Sequence, residues 1–305
     1  MISMRTKLAF VILLLPALLS AQERFSIKGR IINEQGEAVE YVQIGVPKRE
    51  IGTISTADGL FEIEVPQDTL EFFHVSYQPA SYYVTGASDD VTIVLHEQEL
   101  QPAVFIGGDT KEKYLVRPGS NVLKNIGVVS FALRSETPLG RELGSVANAK
   151  KPFLVKDILL SIHSNHIPGC VASVNIYRIE GNKEDFVNVL HKPIYFDVAV
   201  SNDPQSFDIQ PEDTILLDPG RYFISFQIVG YDEQAFKEYL SKPEEDRKFW
   251  EMTMDFRIYL KSSYLREVAL GKMDHLPINI GIAVKGLEFE NSFLKGATSS
   301  SERMP

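Results

Sequence analysis

Phe61-Glu62-Ile63-Glu64-Val65 is the stretch that decides the fold class. Apolar and acidic side chains alternate with period two, so one face of an extended chain meets a core and the other meets water. The same alternation runs outward in both directions. Phe25, Ile27, Gly29 and Ile31 interleave with Ser26, Lys28 and Arg30; Val42, Ile44 and Val46 repeat it; Val91, Ile93 and Leu95 close the block. Turn formers separate the runs at Asn33-Glu34-Gln35-Gly36, Asp58-Gly59 and Pro66-Gln67-Asp68. Five or more short strands at this spacing predict a small antiparallel sandwich. Asp58 is expected to bond its own backbone two residues on, and Gly59 to supply a positive φ at no steric cost.

A second block repeats the theme on a larger scale. Ile158, Leu160 and Ile162 head a strand, followed by Val174 and Ile176, then Phe196, Val198 and Val200. Tyr222 to Val229 is apolar on nearly every position and predicts a strand buried on both faces, entered through the turn Asp218-Pro219-Gly220. Phe256, Ile258 and Leu260, then Ile278, Ile280, Ile282 and Val284, complete about eight strands of a jelly-roll-like β-sandwich. Between the blocks, residues 107–120 (GGDTKEKYLVRPGS) break the alternation and predict a linker. Residues 232–252 predict a helical insertion: Phe236 and Leu240 stand at i, i+4 beside Tyr239, and Ser241-Lys242-Pro243-Glu244 reads as a capping box opening a second helical piece.

The two ends carry different signals. Arg5 and Lys7 precede an apolar run, Leu8 to Leu19, and Leu19-Ser20-Ala21 offers a cleavage site, so residues 1–21 predict a secretory signal peptide. The run is too short for the ~20 residues that anchor a chain across a bilayer. Cleavage after Ala21 takes 21 of the 305 residues, leaving 284, and moves the formal net charge from −10 to −12 by removing two cations. Residues 297–305 predict a disordered polar tail. The expected division is therefore 1–21 signal peptide, 22–106 first sandwich, 107–120 linker, 121–296 second sandwich, 297–305 tail.

Composition narrows the functional classes. An acidic chain without a Lys/Arg stripe is a poor fit to nucleic acid or anionic lipid. No second apolar run of 18 residues suggests a spanning helix. Cys170 alone forms no internal disulfide, and a chain of this size buries enough core to need none. No cysteine stands at the cleavage site to carry a lipid. The expected location is the periplasm or the outer cell surface.

Ile27-Lys28-Gly29-Arg30-Ile31, Asn33 to Val39, Thr53 to Phe61 and His74-Val75-Ser76-Tyr77 together resemble the carboxypeptidase-regulatory-like domain. That family reads as a glycine-bearing strand, a "D-x-x-G-x-P" turn, "G-T-x-T-D-x-x-G-x-F" and a later "V-S-Y-x-G-Y" strand. Val39 stands where the family commonly has proline, and Gln78-Pro79 replaces the glycine-aromatic step. The resemblance spans residues 25–97. It implies a transthyretin-like seven-stranded sandwich without catalytic residues, a module also found at the start of TonB-dependent transporters. The second block, with Glu142-Leu143-Gly144 ahead of Lys150 to Leu154, more loosely resembles the companion sandwich of exported two-domain bacterial proteins, which implies export and no reaction.

Catalytic and metal motifs give little. His163 and His166 are a close pair, but on a strand i and i+3 face opposite ways and no further ligand stands nearby. Cys170 reads as a small buried side chain. No G-x-S-x-G or G-x-x-x-x-G-K-[ST] occurs, and Asp89-Asp90, Glu184-Asp185 and Glu244-Glu245-Asp246 sit in turn-like or surface contexts. No metal, cofactor or catalytic residue is expected. The aromatics of the insertion, Tyr231, Tyr239, Phe249 and Trp250, are the candidate ligand-binding residues, because exposed rings stack on sugars; the favoured reading of the same rings is that they pack the insertion onto the sandwich. Three functions follow in order: a non-enzymatic exported binding protein whose partner is an envelope protein or a glycan, a carbohydrate-binding module centred on Trp250, and a hydrolase using carboxylates of the second block.

Overall fold

The computed structural model describes residues 24–98, 109–117, 127–134 and 139–289. The expected signal peptide and polar tail lie outside the described residues. The regular structure of the described residues is almost all β, with one α-helix. The first block holds β1 (Arg24–Asn33), β2 (Gln43–Val46), β3 (Ile51–Ile54), β4 (Leu60–Pro66), β5 (Thr69–Phe73), β6 (Ala80–Tyr83) and β7 (Ser88–Leu95). These form two layers, ordered β4-β1-β7 and β3-β2-β5-β6. Phe61, Ile63 and Val65 point inward while Glu62 and Glu64 face water. They meet Ile27, Ile31, Ile44, Leu70 and Phe72 in one core, with Phe61 edge-on to Phe72 at 5.6 Å. Each such side chain contributes roughly 1.5–3 kcal/mol by leaving water.

The alternation fixes faces but not strand direction. β1 and β7 run parallel, against the antiparallel expectation. Gly29 makes this pairing tight, since a Cβ there would lie 2.1 Å from the Val91 carbonyl oxygen. At the β3–β4 turn Gly59 adopts φ +71°. The N–H of Leu60 is taken by Thr56 Oγ1 at 3.1 Å rather than by Asp58, whose carboxylate is left facing outward.

The second block continues with β8 (Thr110–Val116), β9 (Val128–Ala132), β10 (Glu142–Ala149), β11 (Phe153–Ile162), β12 (Ser164–Asn165), β13 (Cys170–Glu180), β14 (Asp185–Asn188), β15 (Tyr195–Val198), β16 (Gln205–Ile209), β17 (Leu216–Leu217) and β18 (Gly220–Gly230). A helix, α1 (Glu233–Ser241), precedes β19 (Thr253–Arg257), β20 (Ser263–Arg266), β21 (Asp274–Leu276) and β22 (Ala283–Phe289). The main sheet runs β14-β13-β18-β10-β20-β21 with β15 beside β13. A second runs β16-β11-β22-β8 with β17 beside β11, and a third β12-β19-β9. These strands far exceed the expected eight because many are two to five residues long. Runs of two or three residues, such as β12, β17 and β21, are too short for period-two alternation to register. The last expected strand starts only at Ala283, although Ile280 and Ile282 are buried ahead of it.

Two expectations are corrected. The stretch read as a linker contains β8, an edge strand paired antiparallel with β22. Its Lys111, Glu112 and Lys113 hide the alternation, as charges on sheet edges do. The expected second helical piece is only a 3-10 turn, Glu244–Asp246, without a side-chain cap. Ser241 Oγ donates back to the Glu238 carbonyl instead of capping forward. The helix that does form is capped by Asp232, whose carboxylate accepts from the N–H groups of Gln234 and Ala235.

β18 is buried on both faces, as its sequence predicts. Tyr222, Ile224, Phe226 and Ile228 enter the main core. The opposite face, Phe223, Ser225, Gln227 and Val229, is covered by other groups, and Val229 packs with Ile54 of the first block. Phe223 and Ser225 are covered within the second block, so the strand meets the first block at Val229.

Candidate functional site

The junction is closely packed. Ile54, Val229 and Ala269 form an apolar cluster flanked by Tyr41 and Tyr195, whose rings meet edge-on at 5.0 Å. Gly52 lets the chain at Ala269 approach so closely that a Cβ would sit 2.1 Å from its carbonyl oxygen. Polar contacts add to this. Ser76 Oγ donates to the His191 carbonyl at 3.0 Å, the N–H of Lys272 donates to Glu50 at 3.1 Å, and His74 Nε2 stands 3.4 Å from the Tyr195 hydroxyl. Burial holds His74 down to about 4, so its ring is neutral at pH 7.

Behind the junction lies a sealed ionic network. Glu142, with no solvent exposure, accepts from the Tyr177 hydroxyl (2.8 Å), Asn175 Nδ2 (3.2 Å) and Ser225 Oγ (3.2 Å), with Arg266 Nη1 at 3.6 Å. Burial pushes the Glu142 carboxyl upward, while Arg266 and the two hydroxyls pull it back. Arg266 Nη1 also donates to the same Tyr177 hydroxyl at 3.3 Å. This group is shut off from solvent, so its perturbed carboxyl is structural rather than presented to a substrate.

Beside the junction opens a cleft of about 910 Å³. One wall is the outer face of the β4-β1-β7 layer, carrying Lys28, Arg30, Leu60 and Glu62, continued by Thr53 and the β3–β4 turn. The facing wall is α1, with Phe236, Lys237 and Leu240, together with Tyr231 and Arg134. Both blocks are needed to form it. Its size falls within the ~300–1,000 Å³ of small-molecule sites. Burial raises the hydroxyls of Tyr41 and Tyr231 on its walls, keeping both protonated.

The structure separates the four candidate aromatics. Tyr239 is buried, and its hydroxyl accepts from Arg134 Nη1 at 2.7 Å, so it packs the insertion. Tyr231 is half-buried on the cleft wall, edge-on to Phe236 at 5.2 Å. Phe249 and Trp250 are 78% and 56% exposed on the following turn. Arg134 ties that turn to the cleft wall by donating to the carbonyls of Phe249 (2.9 Å) and Glu251 (3.1 Å). Asp58 lies on the cleft and Gly59 beneath it in the turn.

Sequence reasoning missed Tyr41, Thr53, Arg134 and Phe236 as neighbours. Their approach depends on how the blocks dock, and no local pattern in the sequence signals it. His166 bonds Asn202 at 2.9 Å, and Cys170 is buried with its thiol pushed up to about 12. Among the described residues no three His, Cys, Asp or Glu side chains are grouped to hold a metal.

No family model matches the chain, and no curated protein matches it. Solved structures with some likeness include that of infectious bursal disease virus Gx strain, at 11% identity and TM-score 0.29, covering 77% of this chain and 49% of that one. The chain thus spans about half the length of that relative. A DUF3823 family protein from Parabacteroides merdae shares 10% identity at TM-score 0.19, over 84% of this chain and 97% of that one. A Streptococcal ancillary pilin shares 8% at TM-score 0.20, over 66% and 60%. At such TM-scores none of these likenesses carries an argument about what this chain binds or does.

Proposed function

We propose that the protein is a non-enzymatic binding protein of the bacterial envelope, exported by its N-terminal signal peptide, with an envelope protein or a glycan as its partner and the cleft between its two blocks as the binding site. In this reading residues 22–106 form a carboxypeptidase-regulatory-like domain, in keeping with the two-layer arrangement of seven strands. The observation that carries it is the cleft itself, walled by both blocks over a junction held by buried apolar and polar contacts. A scaffold locked in this way presents its walls without first ordering them, which is what an affinity site needs.

The test is binding of the secreted protein to glycan and peptide panels, compared with Ala57→Trp. Ala57 is exposed in the β3–β4 turn at the cleft mouth, so the indole obstructs the cleft without entering a core. Ligands should be retained by the native chain and lost by the variant. Binding that survives Ala57→Trp would overturn the assignment, as would turnover of a bound substrate for its non-enzymatic part.

A second reading is favoured by one observation: Phe249 and Trp250 stand exposed together on one turn. There a glycan would stack on the turn, outside the cleft, and Trp250→Ala would abolish its binding while Ala57→Trp would not.

A further inference from the structure

We infer that the cleft takes a neutral oligosaccharide. The inference rests on the cleft being the ligand site and deepens it to a ligand class. Four basic and five acidic side chains line the walls, so the lining is nearly balanced. The cations are all engaged. Lys28 pairs with Glu62 at 2.9 Å and Lys237 with Glu233 at 3.5 Å; Arg30 donates to Thr92 at 3.3 Å, and Arg134 spends its guanidinium on Tyr239 and two carbonyls. An anionic ligand would find unspent N–H groups on the Arg30 guanidinium, but with the Asp90 carboxylate on the neighbouring strand of the same sheet. A cationic ligand would meet the exposed Asp90 carboxylate with Lys28 and Arg30 beside it on the same sheet, so neither sign of charge finds an unopposed partner on that wall.

The groups left over are those a sugar uses. The carboxylates of Asp58 and Asp90 are exposed and make no hydrogen bond within the described residues, so they can accept from hydroxyl groups in charge-assisted bonds. Thr53 adds a hydroxyl to the same wall. Leu60, 52% exposed on one wall, and Phe236 and Tyr231 on the other offer apolar surface to the C–H faces of a pyranose. A volume of about 910 Å³ admits several sugar units rather than one.

The experiment is calorimetric titration of the full secreted chain with three probe sets: neutral glucan, mannan and galactan oligosaccharides; oligogalacturonate; and oligolysine. Each is repeated on Ala57→Trp and on Asp58→Asn/Asp90→Asn. A neutral oligosaccharide should bind, lose at least about tenfold in affinity in the double Asn variant and be lost in Ala57→Trp. Its affinity should hold between about 0.05 and 0.5 M salt, since no charges are neutralised. Binding of the uronate or the lysine oligomer in place of neutral sugars, abolished by Ala57→Trp, would overturn the ligand class and leave the cleft standing. Failure of every probe to bind in an Ala57-sensitive way would overturn the cleft as well.

Discussion

Acid should loosen the protein at one identifiable point, His74. This ring sits at the junction, 7% exposed, where Nδ1 accepts from the Ser76 N–H at 3.2 Å and Nε2 faces the Tyr195 hydroxyl at 3.4 Å. A second proton on Nδ1 would confront the Ser76 N–H and charge a desolvated ring. Burial lowers the folded value from 6.5 to about 4, so the unfolded chain binds the proton more readily throughout that window. The stability conferred by the neutral ring is complete above pH 6.5 and is lost as pH falls toward 4. The depression corresponds to about 3 kcal/mol by pH 4, a large share of a typical 5–15 kcal/mol. Urea unfolding from pH 7.5 to pH 4, on the native chain and on His74→Gln, measures it. Glutamine keeps an acceptor for Ser76 and cannot titrate here. Carboxylates contribute to both curves, so the difference between them isolates the imidazole. The native chain should lose about 3 kcal/mol more than the variant across the window. Parallel curves would refute the reasoning.

Other perturbations follow from the same geometry. Arg266→Met leaves Glu142 buried without its counter-ion and should cost about 3–5 kcal/mol by urea unfolding, with much of the loss recovered in Arg266→Met/Glu142→Gln. Gly52→Ala drives a methyl into the Ala269 carbonyl and should raise hydrogen exchange across the junction while leaving the β1–β4 ladder protected. Cys170, 2% exposed with its thiol pushed up to about 12, should resist iodoacetamide at pH 8 in the folded chain and react promptly in urea.

The β class was legible because residues 61–65 alternate without exception and their odd positions are all buried. The double burial of β18 was legible from the opposite pattern, apolar side chains on both faces of one strand. Direction was not: Val91, Ile93 and Leu95 alternate identically whether β7 runs parallel or antiparallel to β1. β8 was illegible because an edge strand needs only one partner and tolerates charge at consecutive positions. Of the candidate aromatics, sequence proximity grouped four rings that the fold sends three ways: Tyr239 into the core, Tyr231 onto the cleft, and Phe249 with Trp250 into solvent. The cleft joins residues as distant as Lys28 and Leu240, and no local pattern encodes that approach.

The central claim is that the cleft between the blocks holds the ligand. Hydrogen exchange of the full secreted chain, with and without a saturating neutral oligosaccharide, tests it most directly. The account predicts new protection in two separated stretches, Thr53 to Glu62 on one wall and Tyr231 to Leu240 on the other. Protection confined to the Phe249–Trp250 turn, or absent from both walls, would contradict it.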